Sequence, residues 1–506
     1  MSQPSGPALA TLESRGLRVA TGSSARNRQA EFARHAIIHT LANLGTLACS
    51  GALAFVLPRF LTVDDYGYYR LFLLYGGFAG VLHLGFLDGL LIRWAARPWS
   101  RLKNELATSL AFLWIEELVM LGLVIVGAAV LTNRTLLLLT LAIGLYSVLW
   151  NWSALGQYAI QALKLFEYVS FFTILAPLLT LLSALALYPL GQLTLRNLIL
   201  TCLLSQFISA GILWMFVRRR VLDSHFHLGA FWPLGRYHVR LGWSVVCANL
   251  LAMVALSLDR LVLSRGFSIR DFAIYSFAAN ALALTYNMIL SVARVLFPYL
   301  SEGISAEARV RAYAAGEIAV LLIWAGGLAS FFPIAWLIPR WLPNYIPSIA
   351  LVRILMLATG LTASIHILHS TYFRVMRKQN RFLVGAFVGA VSAALLIAIG
   401  ARTGQLSHFA WAMVGSALAW WLVNEFLLRD LLQHNAARIF KALGLSAACA
   451  AVFLFCANLP NLGLGLLSYS LWAVALFIVV GRPVLRQVKL PGLRFLFIAP
   501  SGHGLN

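Results

Sequence analysis

Fourteen apolar runs dominate this chain: residues 36–61, 69–92, 105–131, 135–161, 168–190, 194–217, 239–262, 271–297, 312–337, 348–373, 382–401, 406–428, 439–459 and 463–481. A bilayer core is crossed by roughly 20 mostly apolar residues in a helix. Inside it every backbone N–H and C=O must be satisfied by the chain itself, which runs of this length achieve as α-helices. Only 11% of residues are charged and 61% are hydrophobic, whereas about a quarter of a typical soluble domain is charged. The runs predict an all-α polytopic membrane protein with fourteen transmembrane helices, numbered here as spans 1 to 14.

Polar clusters such as AARPWSRLK (95–103), VRRRVLDSHFHLGAFWPLGRYHVR (217–240) and RVMRKQNR (374–381) separate the runs. The net charge is +22, and cytoplasmic loops of membrane proteins collect Lys and Arg. With the N-terminus placed in the cytoplasm, 29 of the 39 Lys and Arg fall on that side and 10 on the other. This bias predicts that both termini are cytoplasmic. Nucleic-acid binding finds no support, because no basic run outside the membrane is interleaved with aromatics. Residues 1–35 are polar, Ser- and Arg-rich, and lead into a span too long for a signal-peptide core. They read as a disordered cytoplasmic tail. All five cysteines (Cys49, Cys202, Cys247, Cys449, Cys456) lie in apolar runs without metal-ligand spacing, and read as buried thiols.

One polar stretch occurs twice. Residues 57–70 read LPRFLTVDDYGYYR, and residues 263–276 read LSRGFSIRDFAIYS. Leu57/Leu263, Arg59/Arg265, Asp65/Asp271 and Tyr69/Tyr275 are identical without a gap, and Thr62/Ser268, Val63/Ile269 and Tyr66/Phe272 are near-equivalent. Each copy follows the first helix of a six-helix block, so the blocks enter the membrane the same way up. That is the pattern of parallel repeats whose two lobes rock about a central cavity. The predicted organisation is an N-lobe (36–217), a cytoplasmic linker (218–238), a C-lobe (239–433) and an appended helix pair with a cytoplasmic tail (434–506). Arg59, Asp65, Tyr69, Arg265, Asp271 and Tyr275 are expected to act as structural hinge residues.

The stretch LPRFLTVDDYGYYRLFLLYGGFAGVLHLGFLDGLLIRW (57–94) resembles the opening of the Wzx-type polysaccharide (O-antigen/oligosaccharide) flippase family of the MOP superfamily. A Pro-Arg-x-Leu turn, a short acidic segment and a Tyr-Gly-x-Tyr carry the likeness, with Leu-Gly-Phe-x-Asp-Gly in the second span. SLDRLVLSRGFSIRDFAIYSFAANALALTYNMILSVARVLFPYLS (257–301) resembles the family again. Two departures stand out: Gly67 of the first copy becomes Ala273 in the second, and Leu258-Asp259-Arg260 has no first-lobe counterpart. The resemblance implies a transporter moving an undecaprenyl-diphosphate-linked oligosaccharide across a bacterial inner membrane for surface polysaccharide synthesis. It also implies a polysaccharide polymerase and chain-length proteins as partners.

Such a path needs cations for a diphosphate and amides or aromatics for sugar, and ionisable residues inside spans are functional candidates by default. Arg260 is either a cation on the exit path or half of an Asp259–Arg260 pair that fixes the hinge. Arg294 and Arg353 face a cavity or snorkel to the interface. Arg70 is expected to help fix the hinge. Asn249, Asn280 and Asn287 line the second lobe or act as polar glue between helices. Asp88, Glu116 and Glu117 are candidates for proton coupling. Neighbours on a helix point about 100° apart, so one of Glu116 and Glu117 at most faces a cavity squarely, and an interhelical hydrogen bond is the alternative for the pair. Glu317 and Glu425 are similar but nearer the cytoplasmic ends. His83 is a titrating group or a satisfied core histidine. His366 and His369 share a face without a carboxylate or Cys near them in sequence, which argues against a metal. Trp150-Asn151-Trp152, with Gln157 and Gln161, stacks on sugar or packs in the core.

The sequence contains no phosphate-cradling Gly loop, no His-Glu-x-x-His and no Gly-x-Ser-x-Gly, the motifs that would signal ATP hydrolysis, a metallohydrolase or a serine hydrolase. No cofactor is expected. Two rivals remain at this point: a drug or organic-cation antiporter on the same fold, and an O-antigen polymerase or ligase. The second class has a long extracytoplasmic loop, and every outward loop here is short.

Overall fold

A computed structural model describes residues 45–94, 99–162, 165–222, 226–282, 306–376, 378–433 and 435–482. Among them the regular structure is helical throughout, with no strand. The helices are α1 (Gly45–Phe60), α2 (Val63–Gly76), α3 (Phe86–Trp94), α4 (Trp99–Ala129), α5 (Arg134–Ala162), α6 (Phe166–Leu187), α7 (Leu195–Leu222) and α8 (Leu228–Gly266). They continue with α9 (269–282), α10 (Ala306–Leu328), α11 (Phe331–Trp341), α12 (Ser348–Ser364), α13 (Ser370–Val375), α14 (Gln379–Thr403), α15 (Leu406–Leu432), α16 (Ala436–Ala457) and α17 (Leu462–Leu476).

Among the described residues ten helices are long and apolar enough to cross a membrane, and two bent pairs bring the number to 12 if each is one span. The two remaining expected spans, 36–61 and 271–297, fall partly outside the described residues, where only α1 and α9 represent them. The chain is a multi-pass, all-α membrane protein.

α5 is the centre of the first lobe, packing on α2, α4, α6 and α7. In the second lobe α12 and α15 pack on each other, with α10 against α12 and α14 against α15. The appended pair α16–α17 lies against α10, while α17 also meets α11 and α16 meets α12 and α15. α8 joins the lobes: it packs on α3 and α4 of the first and on α14 of the second.

One expectation needs correction, and a second gains detail. Span 2 is not one continuous helix over 69–92. After α2 it tightens into a 3₁₀ turn at Gly77–Val81, and α3 departs at 55°. Leu84 (φ 46°) and Gly85 (φ 90°) make the break; the left-handed region suits the glycine and strains the leucine. The linker expected at 218–238 is also mostly helix, since α7 runs to Leu222 and α8 begins at Leu228. Pro233 lies in the second turn of α8, near enough to the start to be tolerated. Phe231 and Trp232 pack on Phe112, with ring centroids 5.4 and 6.1 Å apart. The apolar contacts of this segment support helix despite its Pro, Gly and Arg content. A further difference concerns the cysteines: Cys247 is exposed, while Cys49, Cys202, Cys449 and Cys456 are buried as expected.

The two ends of the molecule are built differently. At the hinge end both lobes share one apolar core, in which Leu57, Tyr66 and Phe72 join Phe272, Tyr275, Phe277 and Tyr345. At the opposite end the cores formed by the described residues are separate. Phe86, Trp94, Phe112 and Leu213 pack with Phe231 and Val239 of α8, while Tyr313, Leu368, Tyr372 and Leu428 form another cluster.

Candidate functional site

The repeated polar stretch is a helix cap in both copies. Thr62 precedes α2 in extended conformation, and its Oγ1 accepts the backbone N–H of Asp65 at 3.1 Å. Ser268 Oγ likewise accepts from the Asp271 N–H at 3.1 Å, and donates to Asp271 Oδ2 at 2.6 Å. A Ser or Thr before a helix with an acid three residues on satisfies amides that the first turn leaves open. The spacing of Thr62/Asp65 and Ser268/Asp271 therefore has a local cause. The tyrosines diverge more. Both are buried in the shared core, and Tyr275 in addition donates to Asp259 Oδ2 at 2.8 Å.

These copies lie against each other across the lobes. Gly67 meets Ile269 and Ala273 so closely that a Cβ on Gly67 would sit 2.7 Å from the Ile269 carbonyl oxygen. Around this contact the polar groups pair between lobes: Arg70 Nη2 donates to Asn280 Oδ1 at 3.2 Å, and Tyr75 Oη lies 3.0 Å from Ser264 Oγ. Arg59 donates to the Trp341 carbonyl at 3.2 Å and stands 5.4 Å over its ring. Tyr66 packs edge-on against Tyr345 at 5.7 Å. Arg265 is exposed in the last turn of α8. The seam is thus apolar at its centre and carries amide, guanidinium and hydroxyl groups that would be released if it parted.

On the other side of the break in span 2, α3 crosses α8 backbone to backbone. A Cβ on Gly89 would fall on the His238 carbonyl, and one on Gly242 on the Gly85 carbonyl. The turn between α2 and α3 is held from the first lobe. Asn151 Nδ2 donates to the Ala79 carbonyl at 3.0 Å and to Glu117 Oε1 at 2.7 Å. Asn151 and Glu117 are both buried, so Glu117 has the interhelical hydrogen bond that was its alternative reading. Glu116 is half-buried, and its Oε2 has no hydrogen-bond partner among the described residues. Asp88 lies 3.9 Å from His83 Nε2, and His83 Nδ1 accepts the Gly85 N–H at 3.1 Å. Arg93 pairs with Glu105 and stands 5.0 Å over Tyr237 of α8.

The remaining candidates separate. Arg260 folds back on its own helix, donating to the Leu256 carbonyl at 3.0 Å and to Ser257 Oγ at 3.3 Å, with Nε 3.7 Å from Asp259. Arg353 hydrogen-bonds Asn458 at the end of α16, which ties it to the appended pair. Asn249 is exposed on α8. Arg294 and Asn287 lie outside the described residues. Trp152 stacks on Trp214 at 6.2 Å, which is the packing reading, while Trp150 is exposed.

Sequence reasoning missed the partners of the second-lobe acids. His369 was read as lacking a nearby carboxylate, yet its Nε2 lies 2.9 Å from Glu425 Oε1. The same oxygen accepts from Tyr313 Oη at 2.7 Å. Arg438 pairs with Glu317 through Nε at 2.9 Å and stands 5.2 Å over the Tyr313 ring. The π-helical turn at Ile365–His369 carries the histidine; such turns recur at functional sites. No spacing in the sequence announces these pairs. Among the described residues no group of three or more His, Cys, Asp or Glu is arranged to hold a metal.

The sequence model of a family described as polysaccharide biosynthesis protein matches residues 56–323, more than half of the chain. No curated protein matches the sequence. By fold, the chain matches the lipid II flippase MurJ in an inward closed conformation, with TM-score 0.68 and 10% identity over 89% of this chain and 99% of that one. It also matches the inward-facing conformation of a multidrug resistance MATE family transporter of the MOP superfamily, with TM-score 0.57 and 15% identity over 79% of this chain and all of that one. For the outward-facing conformation the TM-score is 0.53 at 15% identity, over 80% and 95% of the two chains. At these identities the likeness is one of fold.

Proposed function

This chain belongs to the polysaccharide biosynthesis protein family, and on that premise we propose that it is a flippase. Its substrate is an undecaprenyl-diphosphate-linked oligosaccharide, moved from the inner to the outer leaflet of the bacterial inner membrane by alternating access. Both termini are cytoplasmic in this reading, so the hinge end faces outward. A polysaccharide polymerase and chain-length proteins would take up the product.

The observation that carries the proposal is the contrast between the two ends. Among the described residues the hinge end is one core spanning both lobes, while away from it the buried apolar residues form three smaller clusters, one in the first lobe with α8 and two in the second. Rocking the lobes would open the outer end and expose Arg70, Asn280, Tyr75 and Ser264, which now satisfy one another. A guanidinium suits a diphosphate, and amide and hydroxyl groups suit sugar. The lipid tail stays in hydrocarbon, so only the polar head needs a protein path. Two further facts support the reading: the fold is shared with a lipid II flippase along nearly its whole length, and the matched family acts in polysaccharide synthesis.

Within this proposal Arg70 replaces Arg260 as the foremost diphosphate contact, because Arg260 is engaged on its own helix. Asn280 and Asn249 are the amides positioned to serve, and Arg294 and Asn287 retain the roles their span positions suggest. Glu116 and Asp88 remain available as first-lobe acids, while Glu117 holds the broken turn through Asn151.

Deleting the gene should abolish surface polysaccharide while lipid-linked repeat units accumulate on the inner leaflet. Purified protein in proteoliposomes should move a fluorescent polyprenyl-diphosphate sugar between leaflets, and Arg70→Ala should slow it more than Arg70→Lys. Normal polysaccharide with altered drug sensitivity would instead select the antiporter reading on the same fold.

A further inference from the structure

One face of the first half of α8 is pinned against the first lobe. Gly235 lies on Phe112, the His238 ring stands edge-on to Phe86 at 5.8 Å, and Gly242 meets the Gly85 backbone. These positions recur at helical spacing, so they fix which side of α8 turns away. On that side stand Trp232, Arg236, Arg240 and Trp243, spaced four, four and three residues apart and all exposed. Trp232 is 70% and Trp243 53% exposed, high values for indoles.

This stripe is positively charged without compensation. α8 contains no Asp or Glu before Asp259. Arg93 and Arg438 each have a carboxylate partner, but Arg236 and Arg240 make no hydrogen bond or ion pair with a described residue. Residues four apart on a helix are neighbours on its surface, so the two guanidiniums can converge on one phosphate, which such groups bind in a bidentate manner. Tryptophan at either end suits a membrane–water interface, where an amphipathic ring settles at headgroup level.

Helix length sets the depth. α8 has 39 residues, roughly 58 Å at 1.5 Å per residue, whereas the hydrocarbon core is about 30 Å thick. With Gly266 at one membrane surface, roughly 20 residues cross that core and the crossing ends near Val246. Arg240 and Arg236 come next along the helix and reach the headgroup layer. The 46° bend between the two halves of α8 lowers the rise along the membrane normal and keeps them within it.

We propose that the face formed by Trp232, Arg236, Arg240 and Trp243 binds the headgroup of an anionic phospholipid in the leaflet at the N-terminal end of α8. The guanidiniums take the phosphate and the indoles cover the glycerol and upper acyl region. A zwitterionic headgroup brings an ammonium to the same two cations, so net charge decides the choice. Because α8 packs on α3 and α4 of the first lobe and on α14 of the second, the lipid is held on the helix that joins the lobes. The site rests on membrane insertion of α8 and not on the transport reading above.

Native mass spectrometry of the full-length protein in neutral detergent tests this, with phosphatidylglycerol as the anionic lipid and phosphatidylethanolamine as the zwitterionic one. The wild type should bind phosphatidylglycerol more tightly. An arginine near an anionic surface contributes about fivefold in affinity. Arg236→Gln and Arg240→Gln should therefore each weaken phosphatidylglycerol binding about fivefold, and together roughly 25-fold, while the double Lys variant keeps most of it. Trp232→Ala should weaken both lipids and leave the preference between them unchanged. Arg196→Gln, at the far end of α7, should alter neither. An unchanged preference in the double Gln variant overturns the site, and so does a loss just as large in the double Lys variant. Arginine-dependent binding of a polyprenyl diphosphate without any preference between the two phospholipids overturns the phospholipid assignment.

Discussion

Glu117 and Glu425 are each buried in the interior of a lobe, and each accepts a hydrogen bond from a residue on another helix. The difference lies in the partner. Glu117 accepts from an amide, Asn151, which also holds the carbonyl of Ala79 in the broken second span. Its bond is positional: it fixes where the chain bends. Glu425 accepts from a phenol and lies against an imidazole, both brought to it from other helices of the second lobe. Two acids that look alike as lone carboxylates in apolar helices thus sit in different surroundings, one bound by an amide that also holds a bent turn and the other by a phenol and an imidazole.

Substitutions can break this comparison, and their expected sizes differ. The largest effect belongs to Arg438→Ala, which leaves the half-buried Glu317 without its charged partner beside Glu425 and should cost about 3 kcal/mol. Thermal unfolding in mild detergent should register it, and near-wild-type stability would show that the cluster is solvated. Asn151→Ala removes donors from both Glu117 and Ala79 and should cost about 2 kcal/mol, with a loosened break between α2 and α3 visible as faster amide exchange at 79–86. An Asn151→Ala protein with unchanged exchange there would remove the positional role assigned to Glu117. Tyr313→Phe leaves His369 on the same carboxylate oxygen and should cost only about 1 kcal/mol. An effect exceeding that of Asn151→Ala would reverse the ranking of the two lobes.

The smallest effects should come from the paired caps. Thr62→Ala and Ser268→Ala are each expected to cost about 0.5–1 kcal/mol. Ser268→Ala should be the larger, because its hydroxyl also donates to Asp271. A substantially larger loss for Thr62→Ala would mean that the two copies are not equivalent as caps.

Much of the architecture was legible because it is local. Apolar runs such as 105–131 and 382–401 became α4 and α14, and the repeat at 57–70 and 263–276 proved to be two N-caps. Span 2 was harder: its apolar run over 69–92 reads as one helix, and the bent turn is held by Asn151, which is 72 residues from Ala79. The segment 228–238 was assigned to a linker between the lobes. It folds as helix because Phe231 and Trp232 find Phe112 of the first lobe, a contact no local pattern encodes.

By itself the sequence determined the membrane class, the positions of most helices, the charge bias and the doubled cap. Each of these depends on residues within a few turns of one another, where hydropathy and backbone hydrogen bonding decide the outcome. Tertiary structure alone decided which ionisable groups are matched and to what. His369 and Glu425 are 56 residues apart, and Glu317 and Arg438 are 121 apart. In a low-dielectric interior a charge is tolerated only beside its partner, so the role of each acid was fixed when the helices packed and brought those distant partners together.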